Sequence, residues 1–235
     1  MIVEFGNSID PDVNQRVYEV AAAIERASLP VVQEVVPTYR SLLVRYDPLR
    51  ASFGDITRSL EDLARAGTVG TGGRGSRDQQ RQLFEIPVVY GGDDGPDLAT
   101  VAQHAGVTPG EVIAIHTRPA YRVYMLGFAP GFPYLGGLDA RIACPRLKTP
   151  RTRVPAGSVG IAENQTGIYP LATPGGWQII GRTLAPLFNP SREPPVALMP
   201  GSFLRFVQVS SREAEDIERR VADGRYEIPT RRRGF

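Results

Sequence analysis

Cysteine is almost absent from this chain of 235 residues, and histidine is scarce. Cys144 is the only cysteine, so no disulfide can form within the chain, which fits a reducing compartment. A zinc site needs several Cys or His ligands, and the only histidines are His104 and His116. We therefore predict a cytoplasmic protein without a bound metal.

Long apolar runs and a strong charge imbalance are also missing. No apolar run reaches the roughly 18 residues of a membrane-spanning helix, and no signal peptide opens the chain. The formal net charge of +2 is too small to indicate a nucleic acid or a membrane surface. Two short helices around AGVT could form a DNA-binding helix-turn-helix, but the second has almost no polar face for reading bases. We therefore predict neither nucleic acid nor a membrane as a partner.

The chain has a single lysine, Lys148, which lies outside the glycine-rich segment 67–80. This segment, GTVGTGGRGSRDQQ, could be taken for a phosphate loop, but a Walker-type loop ends in Gly-Lys-Ser/Thr. We interpret it as a flexible linker between domains. The serine-hydrolase pattern GxSxG is also incomplete, because Ser158 stands in AGSVG without the first glycine.

The residues before this linker and the first residues after it alternate between helix and strand periods. The pattern predicts, in order, a strand at 2–6, a helix to about Ala27, strands at 31–37 and 41–47, a helix from Phe53 and a strand at 83–90. Asp10 or Asp12 can cap the first helix. The order β-α-β-β-α-β suggests a ferredoxin-like α+β domain, which we assign to residues 1–82.

Residues 83–235 are predicted to form a second, mainly β domain. Thr108, Pro109 and Glu111 occupy the cap, N1 and N3 positions of a short helix. The following short strands and turns are typical of an antiparallel barrel or closed sandwich: YRVYMLGF, RVPAGSVGIA, TGIYPL, WQIIGRT and SFLRFVQV. A charged helix over 211–223 and a solvated tail with Arg231 to Arg233 are predicted at the end.

One stretch of this domain, Gly127 to Thr183, has ten glycines and seven prolines in 57 residues, yet it remains rich in apolar and aromatic residues. Such a composition builds tight turns between short strands and brings bare backbone N–H and C=O groups to a surface where a ligand can bind. Gln165, Thr166 and Tyr169 offer an amide, a hydroxyl and a phenol for a polar pocket. Its apolar walls, or else ordinary core, would be Phe128, Phe132, Tyr134 and Trp177.

The charged candidates in and near this stretch are Lys148, Arg151, Arg153 and His116. The cations are either solvated or, for the arginines, suited to a bidentate grip on carboxylate or phosphate. His116 ends a helix, where an imidazolium is favoured, and it is either structural or part of the site.

Four segments resemble the KipI/PxpB family, also named allophanate hydrolase subunit 1. They are GFAPGFPYLGGLD (127–139), TPRTRVPAGSVGIAENQTGIYPLATPGGWQIIGRT (149–183), EIPVVYGGDDGPDLATVAQHAG (85–106) and YRVYMLGF (121–128). The resemblance implies an N-terminal α/β domain followed by a cyclophilin-like β-barrel. Family members often carry a short strand and a Gly-Asp turn before VEFG, whereas here Met1 directly precedes IVEFG. Either the first domain lacks an edge strand or the start is misassigned.

The resemblance also implies a reaction and partners. It implies a non-autonomous subunit that works beside a KipA/PxpC-like partner and, with a PxpA-like subunit, forms the bacterial ATP-dependent 5-oxoprolinase. That enzyme opens the lactam 5-oxo-L-proline to L-glutamate while hydrolysing ATP, and no motif assigns ATP to this chain itself. The alternatives are a KipI-like inhibitor of a sensor histidine kinase and a carboxyltransferase-like subunit acting on a urea-type substrate with biotin.

For the 5-oxoprolinase reaction we predict catalytic roles for His116, Arg153 and Gln165. Substrate-binding roles are predicted for Phe128, Pro130, Phe132, Arg151, Thr166, Tyr169 and Trp177. Arg153 is the sharpest of these hypotheses, because Pro150 and Pro155 restrict the backbone around it. Its guanidinium would hold the carboxylate of 5-oxoproline or the phosphate of an activated form.

Overall fold

The computed structural model describes residues 1–67 and 82–232. The chain divides into two compact units, Met1–Arg77 and Asp78–Phe235. Beyond Gly67, the predicted linker lies outside the described residues, and the predicted domain boundary at 82/83 stays a prediction. No helix in the described ranges is both long and apolar enough to cross a membrane.

The first unit packs two helices against a three-stranded antiparallel sheet of order β1-β3-β2. Its elements are β1 (Ile2–Glu4), α1 (Pro11–Ala27), β2 (Val32–Pro37), β3 (Ser41–Tyr46) and α2 (Phe53–Gly67). Asp10 caps α1, because its Oδ1 accepts the backbone N–H groups of Asp12 at 2.8 Å and Val13 at 3.1 Å. The core is formed by apolar residues of both helices and of β3: Val17, Val20, Ala21, Ile24, Leu42, Val44, Ile56 and Leu60.

The ferredoxin-like prediction for the first domain is not confirmed. The strand predicted at 83–90 forms as β4 (Gln82–Tyr90), but it pairs with strands of the second unit and not with β1, β2 or β3. The described part of the first unit therefore has the order β-α-β-β-α. Periodicity identified the strand but could not choose its sheet, because Ile86 and Val88 would suit any apolar core.

The second unit is built around a closed barrel. Its helices are α3 (Leu98–Ala105), α4 (Pro109–Thr117) and α5 (Ser211–Ala222). After β4, its strands are β5 (Tyr121–Leu126), β6 (Pro133–Gly136), β7 (Arg151–Val154), β8 (Ser158–Ala162), β9 (Gln165–Ile168), β10 (Thr173–Gly175), β11 (Gln178–Arg182), β12 (Phe203–Gln208) and β13 (Thr230–Arg232).

Seven strands close the barrel in the order β11-β8-β9-β6-β5-β12-β4, and β11 pairs back onto β4. The pair β4–β12 is parallel, whereas the other barrel pairs are antiparallel. The other edge of β4 pairs with two strands: Gln82–Phe84 pair with β13, and Val89–Tyr90 pair with β11. The predicted barrel is thus confirmed, and closure leaves little free edge on it.

Three local predictions concern the second unit. The stretch RVPAGSVGIA, predicted as part of the short strands and turns, forms β7 and β8 with a turn at Pro155 and Gly157 between them, and the φ of Gly157 is 82°. The tail predicted as solvated is exposed over Thr230–Arg232, where it forms β13, and Arg231 makes an ion pair of 3.1 Å with Glu85. Arg233 lies outside the described residues. The capping box of α4 is present, with Thr108 and Glu111 each accepting the other's backbone N–H.

The wall formed by β6, β9, β8 and β11 is apolar on both faces. Because successive strand residues point to opposite sides, one set fills the barrel core and the next packs outside. The inward set is Leu135, Val159, Ile161, Ile168 and Ile180. The outward set, which we call the outer cluster, is Phe132, Val154, Ala162, Tyr169, Trp177 and Ile179. Val154 belongs to β7, which pairs with β10 as a separate two-stranded sheet.

Candidate aromatic binding pocket

A pocket of about 230 Å³ lies on the outer face of the barrel wall. Aromatic side chains, one cation and bare backbone of the β10 region line it: Phe128, Phe132, Tyr134, Tyr169, Trp177, Arg146, Pro150, Pro174, Gly175 and Gly176. Drug-sized ligands usually occupy cavities of roughly 300–1,000 Å³. The pocket therefore suits a smaller molecule with an apolar face and a few polar groups.

Three buried rings form the inner wall of the pocket. The centroid of Phe132 lies 5.3 Å from that of Tyr169 and 5.5 Å from that of Trp177, in both cases edge to face. This packing requires glycine on the strand beneath, because a Cβ on Gly167 would lie 3.0 Å from Trp177 Cζ3 and 3.1 Å from Phe132 Cζ. The glycine richness of this segment therefore provides the flat surface on which the rings pack.

Phe128 forms the exposed rim of the pocket. Its φ of 60° is unusual for a bulky residue and costs on the order of 1–3 kcal/mol. Hydrogen bonds of the tight turn hold it there, including Gly127 N–H to Phe132 O at 3.1 Å. The ring is 62% exposed and makes edge-to-face contacts with Phe132 and Tyr169. A strained, exposed aromatic residue beside a pocket is typical of a ligand contact.

The polar groups of the pocket are a cation and two phenols. The guanidinium carbon of Arg146 lies 5.9 Å from the Trp177 ring centroid, within the range of a cation–π contact. Burial raises the pKa of Tyr134 and of Tyr169, and the nearby charge of Arg146 only partly opposes this rise. Both phenols are therefore protonated at neutral pH. The pocket offers a positive charge and hydrogen-bond donors, which suits an anionic ligand that also carries a carbonyl oxygen.

Four of the residues predicted to bind substrate meet in this pocket: Phe128, Phe132, Tyr169 and Trp177. Tyr134, considered with them as an apolar wall, lines it too. Pro130 lies in the adjacent turn and is exposed, and Gln165 is half-buried at the start of β9. Neither Pro130 nor Gln165 is among the lining residues, and their roles stay predictions.

The two arginines of β7 do not line the pocket. Arg151 is engaged within the protein: its Nη2 donates to Asp97 Oδ1 at 2.7 Å and its Nη1 to the Trp177 carbonyl at 3.4 Å. Arg153 is exposed and precedes Val154, which packs into the outer cluster. Strand alternation therefore directs Arg153 to the opposite face of β7. The predicted ligand grip of either arginine stays a prediction.

His116 and Thr166 lie inside the barrel and not at the pocket. His116 Nδ1 is 2.7 Å from the Tyr90 hydroxyl, and its Nε2 is 2.9 Å from the Thr166 hydroxyl. The Thr166 hydroxyl donates to Gly160 O at 3.0 Å, so it accepts from Nε2–H, and Nδ1 accepts from Tyr90. Burial lowers the pKa of His116 to about 3, so the ring is neutral. Stacked at 4.4 Å on Phe206, it has the surroundings of a core histidine, and the site roles of both residues stay predictions.

Arg146 is the functional candidate that the sequence prediction missed. Its signal was available, because it belongs to the same basic run as Lys148 and Arg151. Gly175 and Gly176 were also signalled, as part of the glycine-rich stretch, without being singled out. Within residues 1–67 and 82–232, no group of three or more His, Cys, Asp and Glu side chains could hold a metal ion.

Comparison with known proteins gives a family match over most of the chain. The family described as "Carboxyltransferase domain, subdomain C and D" matches residues 1–198. A 5-oxoprolinase subunit of Bacillus subtilis is 44% identical, over 91% of this chain and 90% of the relative. The subunit of the same name from Escherichia coli O157:H7 is 55% identical over 55% of this chain and 60% of its own length.

Solved structures share the fold. The crystal structure of TTHA0988 superposes with a TM-score of 0.76 at 39% identity, covering 90% of this chain. The chain spans 39% of the length of that protein. The urea amidolyase of Kluyveromyces lactis has a TM-score of 0.78 over 98% of this chain, which is 15% of the amidolyase chain. At 20% identity, the likeness to the amidolyase concerns the fold alone.

Proposed function

Because the chain belongs to the carboxyltransferase subdomain C and D family, and within it to the KipI/PxpB group, we propose that it is a subunit of an ATP-dependent 5-oxoprolinase. Such an enzyme opens 5-oxo-L-proline to L-glutamate with hydrolysis of ATP. The observation that carries the proposal is the 44% identity to the B. subtilis 5-oxoprolinase subunit along 90% of that relative's length.

The aromatic pocket is the proposed lactam site. 5-Oxo-L-proline is a small ring with one carboxylate, and its apolar ring edge suits the faces of Trp177 and Phe128. Arg146 at the rim would bind the carboxylate through its planar donor fork. The protonated phenols of Tyr134 and Tyr169 would donate hydrogen bonds to the lactam oxygen or to the same oxygen once it carries phosphate.

The pocket binds and orients but does not complete the reaction. Among its lining residues, the titratable groups are one arginine and two phenols held in the protonated form, so none can deprotonate water at neutral pH. Activation by ATP and proton transfer would come from KipA/PxpC-like and PxpA-like partner subunits in the cytoplasm. Direct binding of ATP by this chain is not part of the proposal.

The carboxyltransferase alternative is favoured by the description of the matched family and by the fold shared with the urea amidolyase of K. lactis. The sequence identity favours the 5-oxoprolinase function, because this chain is 20% identical to that amidolyase and 44% identical to the B. subtilis 5-oxoprolinase subunit. We therefore place 5-oxoproline first among the candidate substrates.

The test is a complex reconstituted with the two partner subunits, in which ADP and glutamate formation are measured with and without 5-oxo-L-proline. Arg146→Lys keeps the charge and loses the planar fork, so we expect kcat/KM to fall about tenfold to hundredfold, the equivalent of roughly 1.5–3 kcal/mol. Arg153→Lys is the matched control, an exposed arginine of the same region, and should retain most of the activity.

Three results would contradict these assignments. A complex that forms no glutamate from 5-oxo-L-proline would exclude the proposed activity. Full activity of Arg146→Lys together with a large loss in Arg153→Lys would move the carboxylate grip to Arg153, as the sequence alone predicted. Lactam-dependent ADP formation by the isolated chain would contradict its dependence on partners.

A further inference from the structure

Asp97 occupies the N-cap position of α3 but does not cap that helix. An Asp at this position normally accepts backbone N–H groups of its own first turn. Here its carboxylate binds residues far along the chain. Oδ2 accepts the backbone N–H of Ile179 at 2.6 Å, and Oδ1 accepts Nη2 of Arg151 at 2.7 Å. The backbone N–H of Asp97 also donates to the Ile179 carbonyl at 2.9 Å.

The guanidinium of Arg151 links Asp97 to the wall of the pocket. Its Nη1 donates to the carbonyl of Trp177 at 3.4 Å, two residues before Ile179. The side chains of Trp177 and Ile179 both belong to the outer cluster. Asp97 and Arg151 therefore hold the backbone on both sides of Gln178, at the point where β11 delivers the indole ring to the pocket.

The arrangement is costly to disturb. Asp97 is only 8% exposed, and a buried carboxylate is tolerated when its hydrogen bonds are made. The Trp177 ring lies on Gly167 and against Phe132, and it is itself 5% exposed. A small shift of the Trp177 backbone therefore changes the shape of the pocket, because closely packed rings have no free volume in which to rearrange.

We infer that Asp97 and Arg151 are positioning residues that together fix the Trp177 indole as the wall of the pocket and so determine the pocket's affinity for a small cyclic lactam. The positioning role depends only on the geometry, whereas the effect on lactam affinity rests on the proposed function. In this positioning role Arg151 acts through Trp177.

Trp177 is the only tryptophan of the chain, so its fluorescence reports on this wall alone. In Asp97→Asn the side chain keeps its size but no longer offers two charged acceptor oxygens. We expect the Trp177 emission maximum to move to longer wavelength, acrylamide quenching to increase, and 5-oxo-L-proline, titrated by fluorescence and calorimetry, to bind about tenfold more weakly.

Glu85→Gln is the matched control, since its carboxylate is also largely buried and paired, with Arg231, but it does not line the pocket. We expect it to lower the melting temperature without changing Trp177 emission or quenching. Arg151→Gln is a second disrupting variant that leaves the bond from Asp97 to Ile179 in place, for use if Asp97→Asn does not fold. Arg151→Lys, which keeps the charge opposite Asp97, should restore part of the wild-type quenching and affinity.

The outcomes separate the positioning role from the proposed function. Unchanged Trp177 emission and quenching in folded Asp97→Asn or Arg151→Gln would overturn the positioning role. Equal changes in Glu85→Gln would overturn it too, because they would show a general loss of stability. If the wild-type chain does not bind 5-oxo-L-proline, the assignment of the pocket to a lactam is wrong. In that case the acrylamide quenching of Trp177 still shows whether Asp97 and Arg151 hold the indole in place.

Discussion

The burial of His116 leads to a quantitative prediction for the free energy of unfolding at acid pH. His116 is fully buried, its pKa is lowered to about 3 by burial, and its ordinary value is 6.5. Between these pH values the unfolded chain binds a proton that the folded chain does not. The free energy of unfolding therefore falls as the pH falls through this window, by at most about 1.4 kcal/mol per pH unit. From pH 8 to pH 5 the contribution of His116 alone is a loss of about 2 kcal/mol.

The substitution His116→Gln removes this titration. A glutamine amide can accept from the Tyr90 hydroxyl and donate to Thr166, but it takes up no proton in this range. We expect the variant to be less stable than wild type at pH 8, because stacking on Phe206 is lost. Toward pH 5 the difference between the two proteins should shrink by about 2 kcal/mol.

The assay is urea unfolding followed by Trp177 fluorescence at several pH values from 8 to 5. Trp177 is the only tryptophan and lies in the barrel unit, so the signal reports that unit. All other titratable groups are the same in the two proteins, so their contributions cancel in the comparison. If wild type and His116→Gln show the same pH dependence, His116 is not a buried neutral residue and the hydrogen-bond order assigned to it is wrong.

Two further substitutions test the pocket. Gly167→Ala places a Cβ 3.0 Å from Trp177 and 3.1 Å from Phe132, so we expect a loss of about 1–3 kcal/mol in urea unfolding and altered Trp177 emission. Gly110→Ala, with no atom within 4 Å of the new Cβ, should be neutral or stabilising, and equal losses in both would contradict the packing argument. Phe128→Gly relieves the strain of the positive φ, so we expect an unchanged or higher melting temperature. We expect calorimetry to show weaker lactam binding, because the aromatic ring is lost. Full affinity in this variant would exclude Phe128 as a ligand contact.

The sequence by itself determined the features whose causes are local. The cap of α1, at Asp10 or Asp12, and the capping box of Thr108 and Glu111 could be predicted, because a cap acts within a single helical turn. The succession of short strands after residue 121 indicated a barrel or a closed sandwich, and the family resemblance implied the barrel. The candidate pocket lies within the segment 127–183, which the sequence marked by its many glycine, proline and aromatic residues.

Only the tertiary structure decided which strands pair and which face each side chain takes. The strand at 82–90 completes the barrel and not the first sheet, because pairing partners are chosen over long range and its apolar residues suit either core. Thr166 points inward to His116, and Tyr169 points outward to the pocket. In a wall that is apolar on both faces, alternation cannot tell these two sides apart.

The same limit applies to the charged residues around the pocket. Arg146, Arg151 and Arg153 stand close together in the sequence. Yet Arg146 lines the pocket, Arg151 is bound to Asp97, and Arg153 is exposed. Local sequence determined that cations lie near the site. Only the path of the folded backbone decided which of them reaches it, because contacts such as that of Arg151 with Asp97 join residues far apart in the sequence.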